Sequence, residues 1–421
     1  MFSKRLKIRF PFSEHQLLSA LLGVSLVFVG LSFWLFRYRE LKIYPPLQGR
    51  SRLSLEFVVD QEPRVKGNFK TLTYRGVLIS VPKDLVMGYG DRISVSGYLE
   101  AGQKFLVHPR VKIIEGHSGW GSEIRQVVSR FRQLLSLKIS SLLPEPQAAL
   151  LKGIVLGIRS NLPWEFSEQL KKTGTVHVVV ASGYNISFLA KVMSATTRFM
   201  GAKISLAVTM VTLLFYSLLA GWEPPIIRAL FMGSLVCWGE YFGRPVSVLR
   251  LLIFSAVIML ILDPLLIDDL SFQLSFLSTF SLLTIEPWLA KIFPYSWLEN
   301  FWASLASQIV VWPLIAFYFG TVSIWSPLTN LLVLWSVEPA MIFGLLPILV
   351  PVRLTFLSRV ATFLSLIPLT YFVKYVGILS QLPLSLLPIR LSQSWLLLYY
   401  LLLVAVTFFL LAVRGRRPHE A

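Results

Sequence analysis

The sequence has little of what metal, redox and nucleotide chemistry usually require. It contains one cysteine, Cys237, and five histidines, His15, His108, His117, His177 and His419. A lone cysteine excludes an intramolecular disulfide and a cysteine-based zinc site, and the histidines show no metal-ligand spacing. No Walker loop and no GxGxxG opens a helix after a strand, so neither a cofactor nor a nucleotide engine is expected. Charge is also scarce, at 15% of residues against about a quarter in an average soluble domain. Acidic residues are the scarcer sign: 22 Asp and Glu face 40 Lys and Arg, a formal charge of +18.

Apolar side chains are abundant. Of 421 residues 55% are hydrophobic, and the mean hydropathy is +0.66. That composition defines a polytopic α-helical membrane protein, in which much of a positive balance is topology signal. Lys4, Arg5, Lys7 and Arg9 make residues 1–15 a basic cytoplasmic N-terminus. The run 16–36 is about 20 residues long, enough to cross about 30 Å of hydrocarbon. No A-x-A-like site follows it, so it reads as an uncleaved anchor.

Residues 47–117 have a different pattern. Short β-branched runs (53–59, 69–74, 76–81, 92–99 and 111–114) alternate with Gly-Asn, Pro-Lys-Asp and Gly-Asp turns, the pattern of a small all-β barrel of the OB type. Arg64, Lys66, Lys70, Arg75 and Arg92, with Tyr74, Tyr89 and Tyr98, are candidate contacts for a single nucleic-acid strand. Ordinary barrel surface and core aromatics explain the same residues. Residues 118–143 place Ile124, Val127, Val128, Phe131, Leu134 and Leu135 at helical spacing among Arg125, Arg130, Arg132 and Lys138, which predicts an amphipathic helix on the membrane surface. The apolar stretch 148–157 is too short for a full crossing and suits a half-spanning helix.

From 176 onward nine crossings are predicted, near 176–197, 204–220, 226–242, 246–262, 272–290, 301–319, 325–350, 355–377 and 394–413, about ten with the anchor. Alternate loops hold Arg198 with Lys203, Arg244 with Arg250, Lys291, Arg353 with Arg359, and the basic tail 414–421. The opposite loops hold Glu223, then Asp263, Asp268 and Asp269, and later only Arg390. The Lys/Arg bias places both termini in the cytoplasm and the β region outside.

Several polar groups interrupt these spans, and polar groups at membrane depth mark functional sites or helix contacts. Gly174, His177, Ser182, Gly183 and Asn185 lie in one stretch. Arg228 sits one turn into a predicted helix after Glu223-Pro224-Pro225, with Glu223 its nearest candidate partner. Asp263 precedes the block Asp268 to Ser278, in which Gln273 has four hydrogen-bonding sites to satisfy. Gln308 and Pro313 share a span, and Asn330 follows Gly320. A Ser–His hydrolase is disfavoured, because His177 and Ser182 would lie about 140° apart on a helix. No catalytic residue is assigned, and no enzymatic activity is expected.

These motifs carry a resemblance. The spacing of Gly174, His177, Ser182 and Gly183 resembles the stretch that opens the competence domain of the ComEC family, bacterial inner-membrane proteins that pass single-stranded DNA during natural transformation. Tyr184-Asn185 stands where that family usually has Leu-His. Residues 223–232, 263–278 and 307–330 resemble further family segments in the same order, within a competence/channel domain at 148–413. The segment "MGYGDRISVSGYLE" looks like the family's OB-type domain. The resemblance implies a multi-pass protein of the bacterial inner (plasma) membrane, with single-stranded DNA and the lipid bilayer as partners. A separate DNA receptor, nuclease, and cytoplasmic motor or single-strand-binding protein would complete the system. It also implies a short form, since no HxHxDH-type cluster of the family's metallo-β-lactamase-like domain occurs here. A transporter or export factor for another solute or polymer on the same scaffold remains the alternative.

The charge alternation makes a direct prediction. Cysteine placed at Ser54 should react with an impermeant thiol reagent on intact cells, and cysteine at Gly415 only after lysis. Labelling of position 415 from outside would reverse the assigned orientation.

Overall fold

The computed structural model describes residues 30–415, apart from 33, 44–49, 60–63, 67–68, 76, 83, 86–90, 101–102, 104, 115–119, 159–161, 180–182, 222, 245, 292–294, 296–297 and 351–354. The basic N-terminus and most of the anchor therefore lie outside the described residues, as do Tyr89, Ser182 and residues 416–421.

A helix over 30–41, α1, leads into the β region. Its strands are β1 (Arg50–Val58), β2 (Arg64–Lys66), β3 (Phe69–Tyr74), β4 (Val77–Pro82), β5 (Arg92–Glu100) and β6 (Leu106–Ile113). They form two antiparallel sheets, ordered β1-β5-β6 and β2-β3-β4, joined by an isolated parallel bridge from Leu78 to Phe105. Alternation along the strands puts Phe57, Leu72, Val77, Ile79, Val81, Ile93, Val95, Leu99 and Leu106 into one core. Gly97 is required where β5 and β6 shift register, because a Cβ there would come within 2.7 Å of the Leu106 side chain.

The rest is helical. α2 (Trp120–Leu142), α3 (Gln147–Leu156), α4 (Trp164–Thr173), α5 (Gly183–Thr197), α6 (Ala202–Ala220), α7 (Pro224–Tyr241) and α8 (Val248–Leu262) precede a 3-10 turn, Pro264–Asp268. Then come α9 (Leu270–Thr284), α10 (Glu286–Leu289), α11 (Glu299–Phe319), α12 (Ser326–Val333), α13 (Val337–Leu349), α14 (Thr355–Leu379) and α15 (Gln393–Gly415). Among the described residues, four helical stretches are long and apolar enough to cross a membrane: Ala202–Ala220, Glu299–Phe319, Ser326–Ile348 and Phe356–Leu379. The third is interrupted by a 3-10 turn at Leu334–Ser336, between α12 and α13. The stretch from 176 does not begin as a helix, since α5 starts at Gly183 after a turn at 176–179.

The short helix α3 is the centre. Every residue from Ala148 to Leu156 is buried, and α3 anchors a cluster with Ile186, Leu213, Tyr216, Val333, Met341, Leu369 and Phe372 from the helices around it. Lys152 is buried with it, its Nζ donating to Ser140 Oγ at 2.9 Å and Glu145 Oε1 at 3.2 Å. Two glycines admit neighbours. A Cβ on Gly153 would stand 2.2 Å from the Val179 carbonyl oxygen, and one on Gly157, at φ +69, 2.1 Å from that of Ala220.

Around this centre, α2 turns Arg132 and Lys138 toward protein carbonyls, Leu156 O at 2.8 Å and Ile348 O at 2.6 Å. Its exposed stripe contains Val127, Phe131, Leu134 and Leu137. α1 closes the far side of α8: Trp34 Nε1 and Arg37 Nη1 donate to Leu260 and Ile261 carbonyls, both at 2.8 Å. Lys42 and Tyr38 both bond Asp268 Oδ2, at 2.6 and 2.7 Å.

Gly153→Ala forces backbone against backbone and should cost about 1–3 kcal/mol, the usual range for overpacking. The measurement is the melting temperature of the purified protein in detergent. An unchanged melting temperature would refute the close approach of Val179 to α3.

Candidate functional site

The stretch from Gly174 to Asn185 is fixed at three points by glycine contacts. Gly174 ends α4 in the left-handed conformation, φ +69, and a Cβ there would lie 2.5 Å from Ser326 Cβ at the start of α12. Ser323 Oγ adds a bond of 2.7 Å to the Lys172 carbonyl. Val179 rests on Gly153 of α3, and Gly183 meets α7, where an added Cβ would be 2.9 Å from Arg228 Nη2. His177 is exposed in the turn, with Nδ1 3.0 Å from the Gly174 carbonyl. A carbonyl only accepts, so Nδ1 carries the proton and Nε2 is the acceptor edge of the neutral ring. Ser182 lies outside the described residues.

Asn185 is buried. Its Nδ2 donates to the Ile154 carbonyl and to Tyr216 Oη, both at 3.1 Å, and Tyr216 Oη donates to the same carbonyl at 3.0 Å. Ile154 is in the last turn of α3, where carbonyls lack intrahelical partners. Asn185, Tyr216 and Arg132 thus satisfy the end of a helix that stops inside the protein.

Arg228 is buried on α7, with 9% of its surface exposed. The sequence suggests Glu223 as its partner, but the guanidinium crosses to α9. Nη1 donates to the Ser275 carbonyl at 2.9 Å, and the group lies 5.7 Å from the centre of the Phe276 ring. Asp263 and Gln273 hold the turn before α9. Asp263 Oδ1 accepts from Leu265 N at 3.0 Å, and Gln273 Nε2 donates to the Ile267 carbonyl at 2.7 Å. Gln308 and Asn330 meet at Ser304, whose Oγ accepts from Gln308 Nε2 at 3.3 Å and Asn330 Nδ2 at 2.7 Å. Both amide oxygens are buried without a partner among the described residues.

The β-region candidates are dispersed. Arg64 and Lys66 lie in β2 and Arg75 follows β3. Lys70 Nζ donates to the Leu85 carbonyl at 2.7 Å, and Arg92 pairs with Glu56 at 3.6 Å. Tyr74 stacks on core Phe57 with ring centres 4.0 Å apart, whereas Tyr98 is 40% exposed beside Arg50. Among the described residues, no group of three or more His, Cys, Asp or Glu has the arrangement of a metal site.

The structure therefore joins the predicted residues into three polar clusters, Asn185 on α3, Arg228 on α9, and Gln308 with Asn330 at Ser304. The sequence reading did not assign Tyr216, Ser304 or Arg132 to a site. Arg132 was legible as a cation in an amphipathic helix, while Tyr216 and Ser304 gave no signal beyond polarity within apolar runs.

Outward aliphatic faces and four helical stretches of membrane-crossing length and composition mark an α-helical membrane protein. The Competence protein family model matches residues 154–414, more than half of the 421 residues. The chain belongs to that family. It is 29% identical over 170 residues to the uncharacterized protein YcaI of Escherichia coli (strain K12), covering 38% of this chain and 22% of that protein. It is 26% identical over 230 residues to ComE operon protein 3 of Bacillus subtilis (strain 168), covering 53% of this chain and 28% of that protein. The matches thus span less than a third of either relative. No solved structure matches.

Because Asn185 and Tyr216 serve one carbonyl, their substitutions should not be additive. Tyr216→Phe should cost about 0.5–1.5 kcal/mol, and the double variant with Asn185→Ala should depart from the sum of the two singles, since the residues share an acceptor and also bond each other. A double-mutant cycle from thermal melts reads this directly, and strict additivity would contradict the shared acceptor.

Proposed function

We propose that this protein is a polytopic inner-membrane conduit, of about ten membrane segments, that passes single-stranded DNA during natural competence. Its role is transport rather than catalysis, with direction supplied by a cytoplasmic motor or single-strand-binding protein. The observation that carries the reading is family membership over the helical region, which assigns a role in competence and DNA uptake. The discontinuities support it: irregular backbone in a membrane is stable only against protein or a wet cavity. Here α5 starts at Gly183, α3 stops at Leu156, and α12 breaks from α13 at Leu334–Ser336.

In this reading both termini are cytoplasmic and the β region is an outward OB-type barrel. The pairing order supports the barrel. With β1 and β2 taken as one interrupted strand, it meets both β5 and β3, and the parallel bridge from β4 to β6 completes a five-strand ring.

Deletion of the gene should reduce transformation by marked DNA to the level of a no-DNA control, and the chain supplied in trans should restore it. Undiminished transformation of the deletion strain, in a host shown to be competent, would overturn the reading.

A further inference from the structure

The helices sort by what they turn outward. α6 exposes Ile204, Val211, Leu214 and Phe215; α8 exposes Ile253, Phe254, Val257 and Ile261; α14 exposes Phe356, Val360, Phe363 and Ile367. These are surfaces that hydrocarbon accepts. α5 is different. Its exposed positions are Tyr184, Ser187, Lys191, Ala195 and Thr196, without one large aliphatic side chain.

Tyr184, Ser187 and Lys191 follow one another at i, i+3 and i+7, which places them within about 60° of arc on the helix. Arg198, in the 3-10 turn that follows, is exposed at the end of the same line, where exposed Phe199 and Met200 end the polar face. The orientation is fixed from behind, since Asn185 and Ile186 are buried against the core and Gly183 abuts Arg228. Tyr184 Oη donates to Glu338 Oε1 at 2.5 Å. Glu338 stands at the start of α13, near the middle of the span Ser326–Ile348. The Ser187 hydroxyl is satisfied by the Gly183 carbonyl at 3.2 Å, but an exposed phenol, a half-buried carboxylate and an exposed ammonium on one face are costly against lipid and favourable against water.

We infer that the exposed face of α5, from Tyr184 through Ser187 to Arg198, is a wall of a water-filled route, on which Lys191 and Arg198 bind the phosphates of a single nucleic-acid strand and the Tyr184 ring stacks one of its bases. The inference rests on the conduit reading and assigns its binding surface. Charge complementarity selects the occupant. Lys191 and Arg198 have no side-chain partner among the described residues and match phosphates, while the Tyr184 ring offers a face on which a base stacks irrespective of sequence. Glu338 and the nearby Glu299 are the acids that act on Tyr184. They repel phosphates at that end, so the strand is held toward Lys191 and Arg198.

The test uses the full-length chain with Cys237→Ser in membrane vesicles, carrying single cysteines at Ser187, at Lys191 or, as a lipid-facing control, at Ile253. A charged, membrane-impermeant thiol reagent should modify positions 187 and 191 at least ten times faster than 253. A single-stranded oligonucleotide should slow both reactions. Ser187→Cys is nearly isosteric, so it keeps the test open if the Lys191 variant does not accumulate. Reaction at 187 and 191 as slow as at 253 would overturn the wet wall while leaving the transformation phenotype of the deletion strain intact. Fast reaction unaffected by the oligonucleotide would overturn strand binding. Oxidative crosslinking of Ser187→Cys between two copies would assign this face to a dimer instead. In cells, Lys191→Glu should abolish transformation while Lys191→Arg retains most of it, and equal activity of the two would also overturn the assignment.

Discussion

The rest of this molecule depends on a helix end that cannot reach water. α3 is ten residues long, about 15 Å at the usual rise, so it stops inside the fold with its last carbonyls unpaired. In a membrane interior such groups must find partners in the protein. Leu156 takes Arg132 from α2, and Ile154 takes Asn185 from α5 and Tyr216 from α6. The backbone of one helix thereby sets the positions of three others, and the Gly174–Gly183 loop passes over it at Gly153.

This arrangement changes what the interrupting polar residues mean. Asn185 and Arg228 bond backbone carbonyls, which explains their burial without any ligand, and Asp263 and Gln273 bond the backbone of the turn before α9. The open polar surface is elsewhere, on the side of α5 turned away from α3. One helix thus has two polar faces, and the buried one holds the exposed one in register.

Much of the organisation was legible in the sequence, because the signals are local. Composition separates the β-branched segment from the helical remainder, and strand alternation gives four of the six strands closely. The brevity of 148–157 was legible from length alone. Partners were not, because they depend on which helices touch. Nothing near Arg228 points to Ser275, and Glu223 is nearer in sequence than the carbonyl that Arg228 binds. The start of α5 was missed for a related reason: Val176 to Val180 are as apolar in sequence as a span, and the neighbours of the turn at 176–179 and of Gly174 before it are Gly153 and Ser326, far away in the chain. The exposure of Tyr184 and Lys191 is likewise a property of packing, invisible to a hydropathy profile.

The α1 contacts have a mechanical consequence. Trp34, Arg37, Tyr38 and Lys42 fasten α1 to the end of α8 and to Asp268, and β1 begins at Arg50, eight residues beyond Lys42. The Ile43 amide also donates to the Arg75 carbonyl at 3.2 Å, so tension on the β region reaches the α8–α9 corner through α1. That corner carries Asp263 and Gln273, and α9 carries the Ser275 carbonyl that holds Arg228. A load on the β region is thus felt first at the Lys42–Asp268 ionic pair and last at the guanidinium, like a rope made fast to the hinge rather than to the door.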